Sequence, residues 1–80
     1  MVWRVDMTFD EACRVVVQAA KGASPTHLLQ YAAAYARTGM GMTGERRRVQ
    51  ALYILSNLRT WRGEEAQTVK AVLREAGKKV

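Results

Sequence analysis

The 80-residue sequence predicts an all-α protein, a compact bundle of about four short helices with an extended N-terminal arm. Three observations predict it. Alanine is abundant and proline occurs once, at Pro25, so most of the chain is free to be helical. Apolar residues recur at helical spacing from Phe9 to Ala76. Glycines and cap residues interrupt that pattern every few turns, as helix ends do. A hydrophobic content of 49% excludes a disordered chain. The length suits a single domain. A domain this small buries about 60% of the surface its unfolded chain exposes, so its core is modest.

The opening "MVWRVDM" alternates, with Trp3, Val5 and Met7 on one side and Val2, Arg4 and Asp6 on the other. No second strand follows to pair with it. The expectation is an extended arm over residues 1–7 whose Trp3 packs on the helical body; a homodimer made by pairing this segment with a second copy is the alternative. The first helix spans about 8–21. Thr8 and Glu11 have the spacing of a capping box, acids occupy the first turn, and Lys21-Gly22 closes the helix. Phe9, Ala12, Cys13, Val16 and Ala20 share its buried face.

The second helix spans about 25–38. Ser24 is placed as its N-cap, Pro25 suits the first helical position, and Gly39 ends it. Leu28, Tyr31, Ala32 and Tyr35 form one stripe and Leu29, Ala33 and Ala36 another, so this helix is expected to pack on more than one side. The third, about 44–58 and capped by Thr43, carries Val49, Ala51, Leu52, Ile54, Leu55 and Leu58. It is expected to be the most hydrophobic and central element. The fourth, about 61–76, is capped by Thr60, has Glu64 and Glu65 in its first turn and buries Ala66, Val69, Val72, Leu73 and Ala76, with Gly77 at its end. A single bent helix through 58–61 would give the same periodicity as two separate ones. The tail "KKV" is expected to fray.

Composition narrows the chemistry. Cys13 is the only cysteine, so no disulfide forms within the chain and a cytoplasmic location is expected. The N-terminus lacks the pattern of a signal peptide, and the apolar runs are far shorter than the ~20 residues of a membrane span. One cysteine and one histidine make a zinc site in one chain implausible, and no metal or cofactor is expected. A Cys13–His27 dyad is disfavoured because Cys13 lies on an apolar face and His27 in a helix's first turn. Glu64 and Glu65 are adjacent and diverge around their helix, which suits dipole-stabilising acids better than a catalytic pair. "GMGMTGE" lacks the preceding strand and the Lys-Ser/Thr ending of a phosphate loop. The chain is not expected to be an enzyme.

Charge points toward binding. Thirteen Lys and Arg against seven Asp and Glu give a net charge of +6, which attracts nucleic acid, acidic protein or an anionic membrane. Arg46, Arg47 and Arg48 open the third helix, where positive charge opposes the helix dipole. They cover about 200° of its circumference, so one of them lies near the buried face. They are read either as a solvated surface or as a contact site for phosphates and carboxylates, which arginine's planar fork grips bidentately. Met40 and Met42 either plug the end of the core or adapt to a partner from a glycine-hinged loop. Trp61, between Arg59 and Arg62, is either a core anchor or an interface residue. Lys70, Arg74 and Lys78 form a further basic stripe read as solvated. A helix-turn-helix would leave only His27, Gln30 and Arg37 to touch DNA, which disfavours specific duplex readout. A membrane-surface role would need an unpaired apolar helix face, and none is evident.

"ILSNL", "WRGEEA" and "VKAVL" in the C-terminal half resemble small helical accessory proteins of phages and prophages. The resemblance implies a counter-defence setting, in which such proteins bind a host complex and block it, as anti-CRISPR inhibitors do. A chain of charge +6 departs from the acidic members that mimic DNA. The expected activity is therefore inhibition or modulation of a host protein or ribonucleoprotein complex that presents an acidic surface. The expected contacts are Met40, Met42, Arg46, Arg47, Arg48, Arg59, Trp61 and Arg62. The alternative is a nucleic-acid-binding module of low sequence specificity.

Overall fold

The computed structural model describes residues 7–78 as four helices: α1 (Phe9–Lys21), α2 (Leu28–Gly39), α3 (Gly44–Ser56) and α4 (Glu64–Gly77). The expected arm falls, apart from half-buried Met7, on residues outside this range, as do the packing of Trp3 and the end of the tail. The fold is an all-α bundle. Helices meet in chain order, α1 on α2, α2 on α3 and α3 on α4, and α4 returns to α1. Among the described residues the diagonal pairs do not touch, and the α1–α4 seam is the thinnest.

α1 forms as its local signals dictate. The Glu11 N–H donates to Thr8 Oγ1 at 3.1 Å and the Thr8 N–H to Glu11 Oε1 at 2.9 Å, satisfying two N-terminal donors that have no helical partner. Its apolar face is buried as expected, with Ala12, Cys13 and Val16 fully enclosed.

α2 begins at Leu28, later than expected, because Ser24 and Pro25 build a turn instead of a helix start. Ser24 Oγ accepts the Thr26 N–H at 3.4 Å, and the His27 N–H bonds back to the Ser24 carbonyl at 3.0 Å. His27 is the N-cap, its Nδ1 accepting the Leu29 N–H at 3.0 Å. Of the two stripes on α2, the one made of Leu29, Ala33 and Ala36 is wholly core, and the other contributes Ala32. Leu29, Ala32, Ala33, Ala36 and Gly39 are buried, whereas Tyr31 and Tyr35 face outward. Those small residues let α1 and α3 come close on either side.

α3 and α4 are separate helices. α3 ends at Ser56, two residues short of the expected end. The N–H groups of Asn57, Leu58 and Trp61 bond back to the carbonyls of Ile54, Leu55 and Leu58, which carries the chain out of helical register. α4 starts at Glu64, three residues late, with Gly63 in the cap position expected for Thr60. α3 is not the hydrophobic centre. Ala51 and Ile54 are enclosed, but Leu52 stands 43% exposed, and Leu58 is buried from the connection and not from the helix. The expectation failed because a run of apolar residues covers more of a helix's circumference than two neighbours can bury. α4 places Ala66, Val69 and Leu73 in the core, with Val72 and Ala76 half-buried beside it.

Candidate basic and aromatic surface

The connection from α2 to α3 is held by hydrogen bonds. The Met40 N–H bonds to Ala36 O at 3.2 Å and the Met42 N–H to Gly39 O at 3.0 Å. The Gly41 N–H reaches across to Asp10 Oδ1 of α1 at 3.1 Å. Gly41 has φ +86°, which an L side chain adopts only at a cost, so the glycine is a requirement of the turn. The loop is therefore held both to the end of α2 and to α1. Met40 is half-buried against the core, in line with its reading as a plug, and Met42 is half-buried.

The three arginines diverge around α3. Arg48 forms a forked pair with Glu45 within α3, its Nε donating to Oε1 at 2.9 Å. The guanidinium holds the Glu45 carboxyl below the usual carboxylate range, and the carboxylate raises the arginine in turn. Glu45 is exposed, so the pair adds little stability. Its consequence is that one arginine and the lone nearby acid neutralise each other. Arg47 is exposed and lines a cleft of about 990 Å³ along the α1–α4 seam, with Phe9 and Val72 among its walls. Arg46 is exposed and shares a stripe with Gln50 and Tyr53. That stripe faces α2, since Gln50 Nε2 donates to Tyr35 O at 2.8 Å.

Arg59 and Arg62 are also exposed, but they lie at the other end of α3, about 20 Å away along a 13-residue helix. The two expected segments thus place their arginines at opposite ends of α3. Among the described residues Arg46, Arg47, Arg59 and Arg62 have no ion-pair partner. Trp61 between the latter two packs on the core as an anchor, its carbonyl accepting Lys70 Nζ at 2.6 Å. That bond draws Lys70 out of the expected basic stripe, and Lys78 of the same stripe pairs with Glu75 at 3.2 Å.

Other candidates are absorbed by structure. Gln30 donates its side-chain amide to Ala20 O at 2.7 Å, closing the end of α1, and His27 is used as a cap, so two of the three contacts available to a helix-turn-helix serve the fold. Burial pushes the Cys13 thiol up to about 12, with the Asp10 charge adding to the shift, so Cys13 is a poor nucleophile. Among the described residues no group of three or more His, Cys, Asp or Glu could hold a metal, and no helix is long and apolar enough to cross a membrane.

Sequence reasoning missed a cluster of exposed aromatic side chains. Tyr31 (59% exposed), Tyr35 (40%) and Tyr53 (50%) stand on the outer surface where α2 meets α3. The rings of Tyr35 and Tyr53 are 5.5 Å apart, tilted by 30°. The signal was present, because α2 carries two apolar stripes and the one made of small residues suits close packing. Comparison with family models, with curated proteins and with solved structures finds no match for this chain.

Proposed function

We propose that the chain is a small non-enzymatic binding protein that docks on an anionic surface of a larger protein or ribonucleoprotein complex. The observation that carries this reading is the segregation of charge. Between Gly22 and Gly63 the sequence has Arg37, Arg46, Arg47, Arg48, Arg59 and Arg62 against a single acid, Glu45. Glu45 is already bound to Arg48, so α2 and α3 present uncompensated positive charge. The remaining acids lie before Ala12 or after Gly63. Arginines that weaken the start of α3 are supported by a use outside the fold, since an acid there would stabilise the helix by ~0.3–1 kcal/mol. In the phage setting that the C-terminal resemblance implies, docking of this kind inhibits or modulates a host complex.

The test compares two charge removals of equal size. Immobilised chain is exposed to a bacterial lysate as wild type, as Arg46→Gln/Arg47→Gln and as Lys21→Gln/Lys78→Gln. The expected result is a complex retained by wild type and the lysine variant and lost by the arginine variant. Equal retention by all three, or equal loss from both variants, would overturn the reading.

A further inference from the structure

The three tyrosines of the α2–α3 surface have a use that the core does not supply. Tyr31 and Tyr35 are one turn apart on α2, about 6 Å along its axis, and Tyr53 of α3 stands against Tyr35. Each of the three residues is at least 40% exposed, and among the described residues none of their hydroxyls has a hydrogen-bond partner. Arg46 lies seven residues before Tyr53, two turns along the same side of α3, and is exposed, with no ion pair among the described residues. α2 has no acidic residue, and the single acid of α3, Glu45, is tied to Arg48.

The chemistry of the occupant follows from these two properties together. A second copy would bring two arginine-rich halves into contact, and the like charges oppose it. An acidic polypeptide would answer the arginines but offers no flat partner for each ring. Duplex nucleic acid has phosphates, but its bases are stacked inside. Single-stranded nucleic acid presents a negative charge and an open base face at every step, which is what a row of tyrosines two helical turns from an exposed arginine matches. We infer that the Tyr31–Tyr35–Tyr53 surface is a stacking platform for single-stranded nucleic acid, with Arg46 holding the backbone. This rests on the reading of the protein as a binder of anionic surfaces and names the component it grips.

The measurement is fluorescence anisotropy of labelled oligothymidylate and oligouridylate of about 15 nucleotides, a length one binding site can cover. Unlabelled duplex of equal length and polyglutamate serve as competitors. The expected result is binding of one or both single strands, with duplex and polyglutamate competing poorly. Tyr31→Ser/Tyr53→Ser weakens it by roughly 5- to 100-fold, the loss of one or more base stacks. Thermal melting confirms that this variant folds. If it does not, Tyr31→Ser alone is used, because Tyr31 is the most exposed of the three. Arg46→Gln flattens the salt dependence by a log–log slope of about 0.7 for each phosphate it no longer neutralises. No binding to either strand at about 50 mM salt overturns the inference. So does equal binding by the folded tyrosine variant, or equal competition by duplex or polyglutamate. If neither strand binds but a complex is still captured through Arg46 and Arg47 after nuclease treatment, the function reading stands and this inference alone falls.

Discussion

Gly39→Ala tests how tightly α2 is seated. A Cβ added at Gly39 would lie 2.9 Å from Gln50 Cγ and 3.3 Å from Phe9 Cζ. Neither neighbour yields cheaply. Gln50 is buried and its amide is anchored on the Tyr35 carbonyl at 2.8 Å, and the Phe9 ring is buried beneath. Alanine would gain up to about 1 kcal/mol of helix propensity in a helix interior, and less here because Gly39 is the last residue of α2. Overpacking a closed site costs ~1–3 kcal/mol. The net expectation is destabilisation of ~1–2 kcal/mol, which lowers the melting temperature of a domain this size by roughly 5–15 °C. Thermal unfolding followed by circular dichroism measures it. Adding Gln50→Ala removes the nearer obstacle, so the double variant should lose ~0.5–1 kcal/mol less than the sum of the singles. Gly77→Ala is the control. Its Cβ would come closer still, 2.7 Å from Leu52 Cδ2, but that methyl ends a 43% exposed side chain that can swing into solvent. Its effect should stay within about 0.5 kcal/mol. A Gly39→Ala variant that melts at or above wild type, or a Gly77→Ala variant that loses as much, would refute the reasoning.

Two further outcomes are expected. Gly63→Ala, at φ +113° and ψ 174° with nothing within 4 Å of the new Cβ, should destabilise by ~1–3 kcal/mol from backbone strain alone, read from urea unfolding at unchanged m. The Cys13 thiol is raised from 9.0 to about 12 in the folded state, so folding favours the protonated form. Its contribution is intact below pH 9 and is lost as pH rises toward 12, by about 1.4 kcal/mol per unit within that window. Cys13→Ala should therefore show a shallower alkaline fall in stability than wild type, and parallel curves would contradict the burial argument.

What the sequence made legible follows how local each signal is. α1 is read correctly from end to end because its capping box and closing glycine act within a few residues of themselves. The start of α2 is misplaced because Ser24 and Pro25 suit a turn as well as a cap, and the choice falls to His27, whose ring nitrogen caps only when the backbone presents it. α3 is misjudged for a different reason. Leu52 has the spacing of a buried face, and only the positions of α2 and α4 decide that it stays outside. The site shows the same limit. The arginine triplet is visible in the sequence, but its division into a paired Arg48, a cleft-lining Arg47 and an Arg46 on the side of α3 that carries Tyr53 depends on which neighbour each faces.

The order in which the helices meet has a consequence for how the chain assembles. Three of the four seams join helices adjacent in sequence through short connections, so the loops closed during folding are small and their entropic cost is low. Such topologies fold in about microseconds to milliseconds. The α1–α4 seam alone brings the two ends of the chain together, and it is also the thinnest. It should close last and open first, a low-energy local opening distinct from global unfolding. That opening exposes the cleft beside Arg47 but leaves the α2–α3 hairpin intact. The tyrosines and Arg46 therefore keep their spacing through the fluctuation that most readily disturbs the rest of the molecule.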